Sequence, residues 1–275
     1  MFYLVRYGEI GLKGLNRNFF ENKLVKNIKS AIARKTENFN ILKKQGRIIV
    51  EADKDISGLL KKIFGIVNFS AAEKADSYEE LKNLVLESLK TKDFNSFRIT
   101  ANRVNKDFPK TSDETARELG AFVVENFNKK VNLKNFDLNV NVEIIDRFYL
   151  FFEKIKGLGG LPVGVEGKVV CLVENEEGFA AAFLAMKRGC EVVCAGSNDF
   201  DVSRLSLFSP KNINFIKIKS FEEIKNIARE EKAIVVQDRI ESIKDYETDI
   251  FIMRPLIALE NEEIKNILEV IMLSD

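Results

Sequence analysis

Residues 153–189 read EKIKGLGGLPVGVEGKVVCLVENEEGFAAAFLAMKRG, and this stretch divides the chain in two. Its first part, Gly157-Leu158-Gly159-Gly160-Leu161-Pro162, reads as a glycine-proline hinge. Charge changes sign across it: residues 1–160 carry 29 Lys and Arg against 21 Asp and Glu, and residues 161–275 carry 14 against 21. After the hinge the pattern predicts a strand over 168–173, a turn, and a helix over 176–188. An α/β nucleotide-binding domain puts its phosphate loop at such a turn. Here the turn is Val173-Glu174-Asn175-Glu176-Glu177-Gly178. One glycine and three carboxylates make a poor phosphate cradle, because close approach needs bare backbone N–H groups and no competing anions.

Working outward, residues 2–7 read as a strand, and a glycine-punctuated loop over 8–14 leads to Asn16 as a helix N-cap. The helix that follows buries Phe20, Leu24, Ile28 and Ile32 and turns Lys23, Lys26 and Lys29 outward. Strands over 40–43 and 47–51 are joined by Lys44-Gln45-Gly46. A helix over 55–64 and a strand over 66–72 complete a βαββαβ order, that of a ferredoxin-like sandwich. A second unit follows: a helix over 78–90, a strand over 96–102, a basic loop from Arg103 to Lys110, a helix and a strand hairpin over 138–144 and 148–153. Thr111-Ser112-Asp113 caps that helix, with Ser112 and Thr115 as the pair at its end and Leu119, Val123 and Phe127 buried. Residues 161–275 repeat strand and helix, with further strands over 190–195, 213–218, 233–236 and 249–252 and helices near 200–207, over 221–230 and over 260–272. This order predicts a small three-layer α/β domain. Domains are expected at 1–75, 76–160 and 161–275.

At 275 residues, 45% hydrophobic and 31% charged, the composition is that of a soluble globular chain. No apolar run reaches the roughly 20 residues of a membrane span, and the first residues read as a strand rather than a leader, so a cytoplasmic protein is expected. Histidine is absent, which removes the commonest general base and zinc ligand. Cys171, Cys190 and Cys194 show no metal-ligand spacing and read as buried, reduced thiols rather than a sulfur relay. Glu174, Glu176 and Glu177 could hold a hard cation, but nothing else stands at ligand spacing, so a solvated turn is expected and no metal.

Several stretches, taken in order, resemble the ThiI family, the tRNA sulfurtransferases that make 4-thiouridine. They are Tyr7 to Arg17 (YGEIGLKGLNR), Gly46-Arg47-Ile48, Phe64-Gly65-Ile66, Phe97 to Arg103 (FRITANR) with Phe108-Pro109, Glu118-Leu119-Gly120, Gly157 to Gly167 (GLGGLPVGVEG) and Arg254-Pro255-Leu256-Ile257. The resemblance implies a ferredoxin-like domain, a THUMP domain and an α/β domain of the PP-loop (adenine nucleotide α-hydrolase) type. It further implies a homodimer that grips the acceptor arm and 3′ end of tRNA. Set on the family's PP-loop, Ser-Gly-Gly-x-Asp-Ser, this chain has Val173, Glu174, Asn175, Glu177 and Gly178 where Ser, the two glycines, Asp and the last Ser belong. The segment before Arg254 is Gln237-Asp238-Arg239 instead of Thr-Gly-Asp/Glu, and no cysteine follows Cys194.

The expectation is therefore a tRNA-binding protein with a degenerate PP-loop, no thiolation of its own, no cofactor and no catalytic residue, its back domain serving as scaffold, dimer surface or dock for a separate modifying enzyme. The alternative is an active sulfurtransferase that takes ATP on an atypical loop or works with a partner subunit. Lysines and arginines on the matched motifs are the candidate phosphate contacts: Lys13, Asn16, Arg17, Arg47, Arg98, Arg103, Lys106 and Lys110. Phe108 is the candidate ring for stacking a base, with a core anchor as its other reading. Glu9 is expected to orient Lys13 or Arg17.

Overall fold

The computed structural model describes residues 1–44, 46–228, 231 and 233–273. Gln45 of the expected hairpin turn and residues 229–230 of the expected helix lie outside the described residues. In chain order the first elements are β1 (Phe2–Arg6), α1 (Arg17–Ile32), β2 (Phe39–Lys44), β3 (Arg47–Ala52), a single turn α2 (Ser57–Leu60) and β4 (Asn68–Ala75). Then come α3 (Tyr78–Lys90), β5 (Ser96–Arg103), α4 (Ser112–Phe127), β6 (Lys130–Val131), β7 (Leu138–Ile144), β8 (Phe148–Phe151) and β9 (Ile155–Lys156). The last stretch holds β10 (Lys168–Leu172), α5 (Glu176–Lys187), β11 (Glu191–Gly196), α6 (Ser203–Ser206), β12 (Phe215–Lys217), α7 (Phe221–Ala228), β13 (Ile234–Val235), β14 (Ile252–Met253) and α8 (Asn261–Met272). Among the described residues no helix is long and apolar enough to cross a membrane.

The chain divides into two compact units. The first comprises Met1–Arg6, Thr36–Ser57 and Asn68–Lys156. It is built on a nine-stranded sheet in the order β2-β3-β1-β4-β8-β7-β5-β6, with β9 also on β4. β4 is the shared strand: Asn68 to Ala72 pair with β1, and Glu73 to Ala75 pair with β8. Along β5, Phe97 and Ile99 are buried, while Arg98, Thr100 and Ala101 are half-buried. Helix α3 starts at the expected residue, Tyr78, and is capped by Ser77, whose side chain accepts from Glu80 N. Helix α4 starts on a capping box one residue earlier than expected, Thr111 with Glu114. Thr111 is the last residue with extended backbone, and that conformation decides which hydroxyl can reach back to the first turn. Ser112 Oγ instead accepts from Arg103 N, and the Thr115 hydroxyl donates to Thr111 O.

The second unit comprises Tyr7–Lys35, Gly58–Val67 and residues 157–275. Its five-stranded sheet is parallel throughout, in the order β12-β11-β10-β13-β14. β10 therefore lies at the centre, where the winding reverses. Phe64, Phe183 and Phe208 form an edge-to-face cluster in its core, with ring centroids 4.9 and 5.1 Å apart along the chain of contacts. Helix α1 buries Phe20, Leu24, Ile28 and Ile32 as its spacing requires. Asn27 Nδ2 donates to Val163 O at 3.1 Å, which ties the helix to the glycine-rich stretch.

That stretch is not a free hinge. Gly159 N donates to Ile66 O and Gly65 N to Gly159 O, both at 2.8 Å, and Leu161 N donates to Lys187 O at 2.9 Å. Gly189 O accepts from Gly164 N at 2.7 Å and Val165 N at 3.0 Å. The glycines supply left-handed backbone and close approach, not looseness. Two further expectations change. The helix over 55–64 shrinks to one turn, because Gly58 weakens it and the chain turns again at Gly65, whose φ is +99°. Asn16 does not cap α1; it carries helical backbone at the end of a 3-10 turn, and no side-chain bond closes onto the helix.

Candidate nucleic-acid interface and the crevice at the strand ends

In the first unit the basic loop of residues 103–111 is held by its own arginine. Arg103 Nη1 donates to Phe108 O at 2.9 Å and Lys110 O at 3.4 Å. Val104 N and Asn105 N both donate to Ile144 O, at 2.9 and 3.1 Å, and fix the base of the loop. Phe108 turns inward, edge-to-face on Phe148 at 5.3 Å, and packs on the core that holds α3 and β5. It is a core anchor. Lys110 pairs with Glu118 and lies 4.4 Å over the Tyr78 ring; that pairing pulls the Glu118 carboxyl below its usual range. Lys106 is exposed at the loop tip.

Arg98 stands 5.6 Å over Phe136 and lines a groove of about 570 Å³ with Asp113, Arg117 and Leu133, floored by Ile99 and Gly120. Arg117 was not among the sequence candidates. Its only signal was its place on the exposed first half of a helix next to the basic strand. Arg47 faces the other way: its Nε lies 2.7 Å from Glu143 Oε2, in a buried cluster with Arg6. Arg47 is thus spent on the interior.

In the second unit, Lys13 links two 3-10 turns, Glu9–Leu12 and Gly14–Asn16, and its Nζ lies 4.7 Å over Phe20. Arg17 donates from Nε to Glu21 Oε1 at 2.7 Å and from Nη2 to Tyr7 Oη at 3.0 Å; the Tyr7 hydroxyl donates to Glu21. The hydrogen bond to Glu21 above all raises the Arg17 pKa, and burial raises that of Tyr7. Glu9 orients neither basic residue; its carboxylate lies 3.6 Å from Arg188. Sequence reasoning missed the apolar character of this corner: Leu12 and Leu15 are almost wholly exposed, and Phe19 is 56% exposed. Leu12, Leu15 and Phe19 are spaced as on one helix face, but the two leucines fall in the glycine-punctuated loop, where no helical face was sought.

The crevice at the carboxyl end of β10 is the place where an open α/β sheet takes its ligand. Val173 is buried, and its N–H donates to Ala195 O at 2.7 Å. Asn175 caps α5: its Oδ1 accepts from Glu177 N at 2.9 Å, and its carbonyl accepts from Gly178 N at 3.1 Å. Glu174 N donates to Gln237 Oε1 at 3.4 Å. Lys244 reaches Glu174 and Arg239 reaches Glu177, both at 3.4 Å, and Arg239 also donates to Asn261 Oδ1 at 2.6 Å. Buried Asp238 accepts from Tyr246 Oη, Lys244 N and Arg254 Nε at 2.8, 3.1 and 3.1 Å. The N–H groups of Glu174, Glu177 and Gly178 are thus spent locally, and the turn carries three carboxylates. A methyl group on Gly178 would sit 2.7 Å from Gln237 Oε1 and 2.8 Å from Val173 Cα, so this glycine serves packing.

Cys171 and Cys194 are adjacent partners on β10 and β11, and with Cys190 they join the core under α5. Burial pushes the Cys194 thiol up to about 12 and Cys171 well above its ordinary value. Thiol titration of the native protein with a disulfide reagent should therefore find all three slow at pH 8, with three fast equivalents released in denaturant. A fast native thiol would reinstate a sulfur-carrying role. Among the described residues no three metal-ligating side chains converge.

Residues 2–70 match the family model of the ThiI ferredoxin-like domain, and residues 74–153 match that of the THUMP domain. A probable tRNA sulfurtransferase of Thermoanaerobacter pseudethanolicus is 43% identical over 195 residues, 69% of this chain and 51% of that protein. One from Thermococcus kodakarensis is 39% identical over 203 residues, covering 69% and 53%. The chain thus spans about half the length of the curated relatives it matches. The crystal structure of a Pyrococcus horikoshii Ot3 protein superposes with a TM-score of 0.87 at 30% identity, over 98% of this chain and 99% of that one. A 4-thiouridine synthetase solved with RNA and bound ATP gives 0.81 at 26% identity, over 98% and 84%. From motif order, domain models and fold together, the chain is a member of the ThiI-like, THUMP-domain family of tRNA sulfurtransferase-like proteins.

Proposed function

We propose that this chain binds the acceptor arm and 3′ end of tRNA through its ferredoxin-like and THUMP domains and does not itself carry out ATP-dependent thiolation. The observation that carries the second half is the start of α5, where Asn175 takes the Glu177 N–H and Glu174, Glu176 and Glu177 stand in the turn that a triphosphate would need. Held there, a nucleotide would lose backbone donors and compete with carboxylates for Lys244 and Arg239, which already reach Glu174 and Glu177. The first half rests on the net charge of residues 1–160, on family membership, and on cations left pointing outward: Lys106 on the ordered loop and the Arg98–Arg117 groove. In this reading the protein acts as a homodimer in the cytoplasm, and its acidic back domain serves a protein partner, a separate modifying enzyme, rather than RNA.

The test joins three measurements: equilibrium ATP binding, tRNA-dependent pyrophosphate release, and a tRNA gel-shift across a salt series. Retained tRNA with neither ATP binding nor pyrophosphate is the expected outcome. Pyrophosphate released in proportion to tRNA would make the chain an enzyme with an atypical loop. Lys106→Ala and Arg98→Ala should each weaken tRNA binding severalfold and lower the slope of log K against log salt by about 1. Unchanged affinity and slope in the double variant would remove this face from the proposal.

A further inference from the structure

Four consecutive residues, Phe251, Ile252, Met253 and Arg254, line a single cavity of about 550 Å³. Side chains along a strand alternate between faces, so a cavity touched by four in a row runs along the strand's edge and reaches its main chain. β14 is the terminal strand of the five-stranded sheet. Phe251 O accepts from Ile234 N at 3.0 Å and Met253 O accepts from Val236 N at 2.9 Å. Alternate residues turn their main chain to opposite sides, so the N–H and C=O of Ile252 face away from β13 and toward the cavity. The far wall comes from the C-terminal end of α5, Leu184 to Arg188, about 15 Å along the helix from Asn175. The site is thus distinct from the crevice at the strand ends.

Its lining is mainly apolar, and Phe251 at its mouth is 68% exposed. Its charge is cationic. Lys187 has no carboxylate partner among the described residues, and Arg188 meets Glu9 only at 3.6 Å, with side chains 66% and 44% exposed. Arg254 is already held by Asp238.

We propose that this edge binds an extended segment of a partner protein in which apolar and acidic residues alternate, added as a strand beside β14. Ile252 supplies the main-chain hydrogen bonds, the cavity takes an apolar side chain, and Lys187 with Arg188 meets a carboxylate. A second copy of this chain fits less well, because pairing two β14 edges brings two cationic rims together. The proposal does not depend on RNA binding, and a failed tRNA gel-shift leaves it standing.

The probe is a fluorescein-labelled octapeptide alternating Val and Glu, compared with one alternating Val and Lys, titrated against the full chain by fluorescence anisotropy. The Glu peptide should bind preferentially and slow hydrogen exchange at the Ile252 amide. Lys187→Glu should cut that affinity about five- to tenfold and raise that of the Lys peptide, a charge swap that loss of folding could not produce. Equal affinities for the two peptides, or unaltered exchange at Ile252, would overturn the proposal. Displacement of the peptide by a single-stranded oligoribonucleotide, or self-association that Lys187→Glu strengthens, would also overturn it and assign the edge to RNA or to a second copy.

Discussion

Glu143→Ala is expected to cost about 3–5 kcal/mol, much of the stability of an ordinary domain. Glu143 lies on β7 with its side chain only 4% exposed, between two arginines. Arg6 Nε donates to Oε1 at 2.9 Å, with Nη2 2.8 Å from the same oxygen, and Arg47 Nε donates to Oε2 at 2.7 Å. Arg6 also donates to Asn68 Oδ1 and Ser70 Oγ, and its guanidinium lies 4.8 Å over the Phe151 ring. Burial lowers the Arg6 pKa while Glu143 pulls it back up, so the carboxylate is what makes the buried cation tolerable. Without it the buried Arg6 guanidinium and the half-buried Arg47 lose the carboxylate they share. Replacing all three residues by apolar ones of similar size should recover most of the loss, since the pair terms and the desolvation cost vanish together. Urea unfolding of the single and triple variants decides: a single-variant loss under about 1 kcal/mol would mean that water or rearrangement already neutralises the cluster. The same geometry separates stability from recognition. Arg47→Ala should lower the unfolding midpoint while leaving the salt slope of tRNA binding unchanged.

What could be read from the chain followed locality. Helices α1 and α4 were legible because apolar residues repeat along each at the helical period. The element order was legible from local signals, but the strand order was not, since pairing β4 with both β1 and β8 is a nonlocal choice that no short window encodes. Glu143 sits between Val142 and Ile144 in an alternating strand, where the pattern assigns it to solvent. Only the arrival of Arg6 and Arg47 from distant strands turns it inward. Arg103 reads as a phosphate contact and Phe108 as either a stacking ring or a core anchor, because a ring and a cation in a Pro-containing loop look alike whether they face RNA or hold the loop together. The structure assigns both to the loop. Lys106 and Arg98 survive as outward cations, and Arg117 joins them because α4 and β5 are neighbours in space.

The second large effect tests the glycine-rich stretch itself. Gly160 has φ +71°, and a Cβ there would stand 2.3 Å from Lys187 O and 2.8 Å from Lys187 Cγ. The same carbonyl accepts the Leu161 N–H at 2.9 Å, so it cannot retreat without losing that bond. Gly160→Ala therefore combines left-handed strain of about 1–2 kcal/mol with a displaced backbone hydrogen bond of about 1 kcal/mol and a steric shift of similar size, about 3–4 kcal/mol together. Gly159 is the internal control. Its φ is +66°, yet a Cβ there meets nothing within 4 Å, so Gly159→Ala should cost only the strain. A true hinge would respond in the reverse manner: both alanines would stiffen it by similar small amounts, and neither would move the unfolding midpoint far. If the two variants lose equal stability, the contact between Gly160 and the end of α5 carries none of the cost. If Gly160→Ala loses at least about 2 kcal/mol more, this stretch is a packed splice that docks residues 157–167 onto the α/β sheet's own helix.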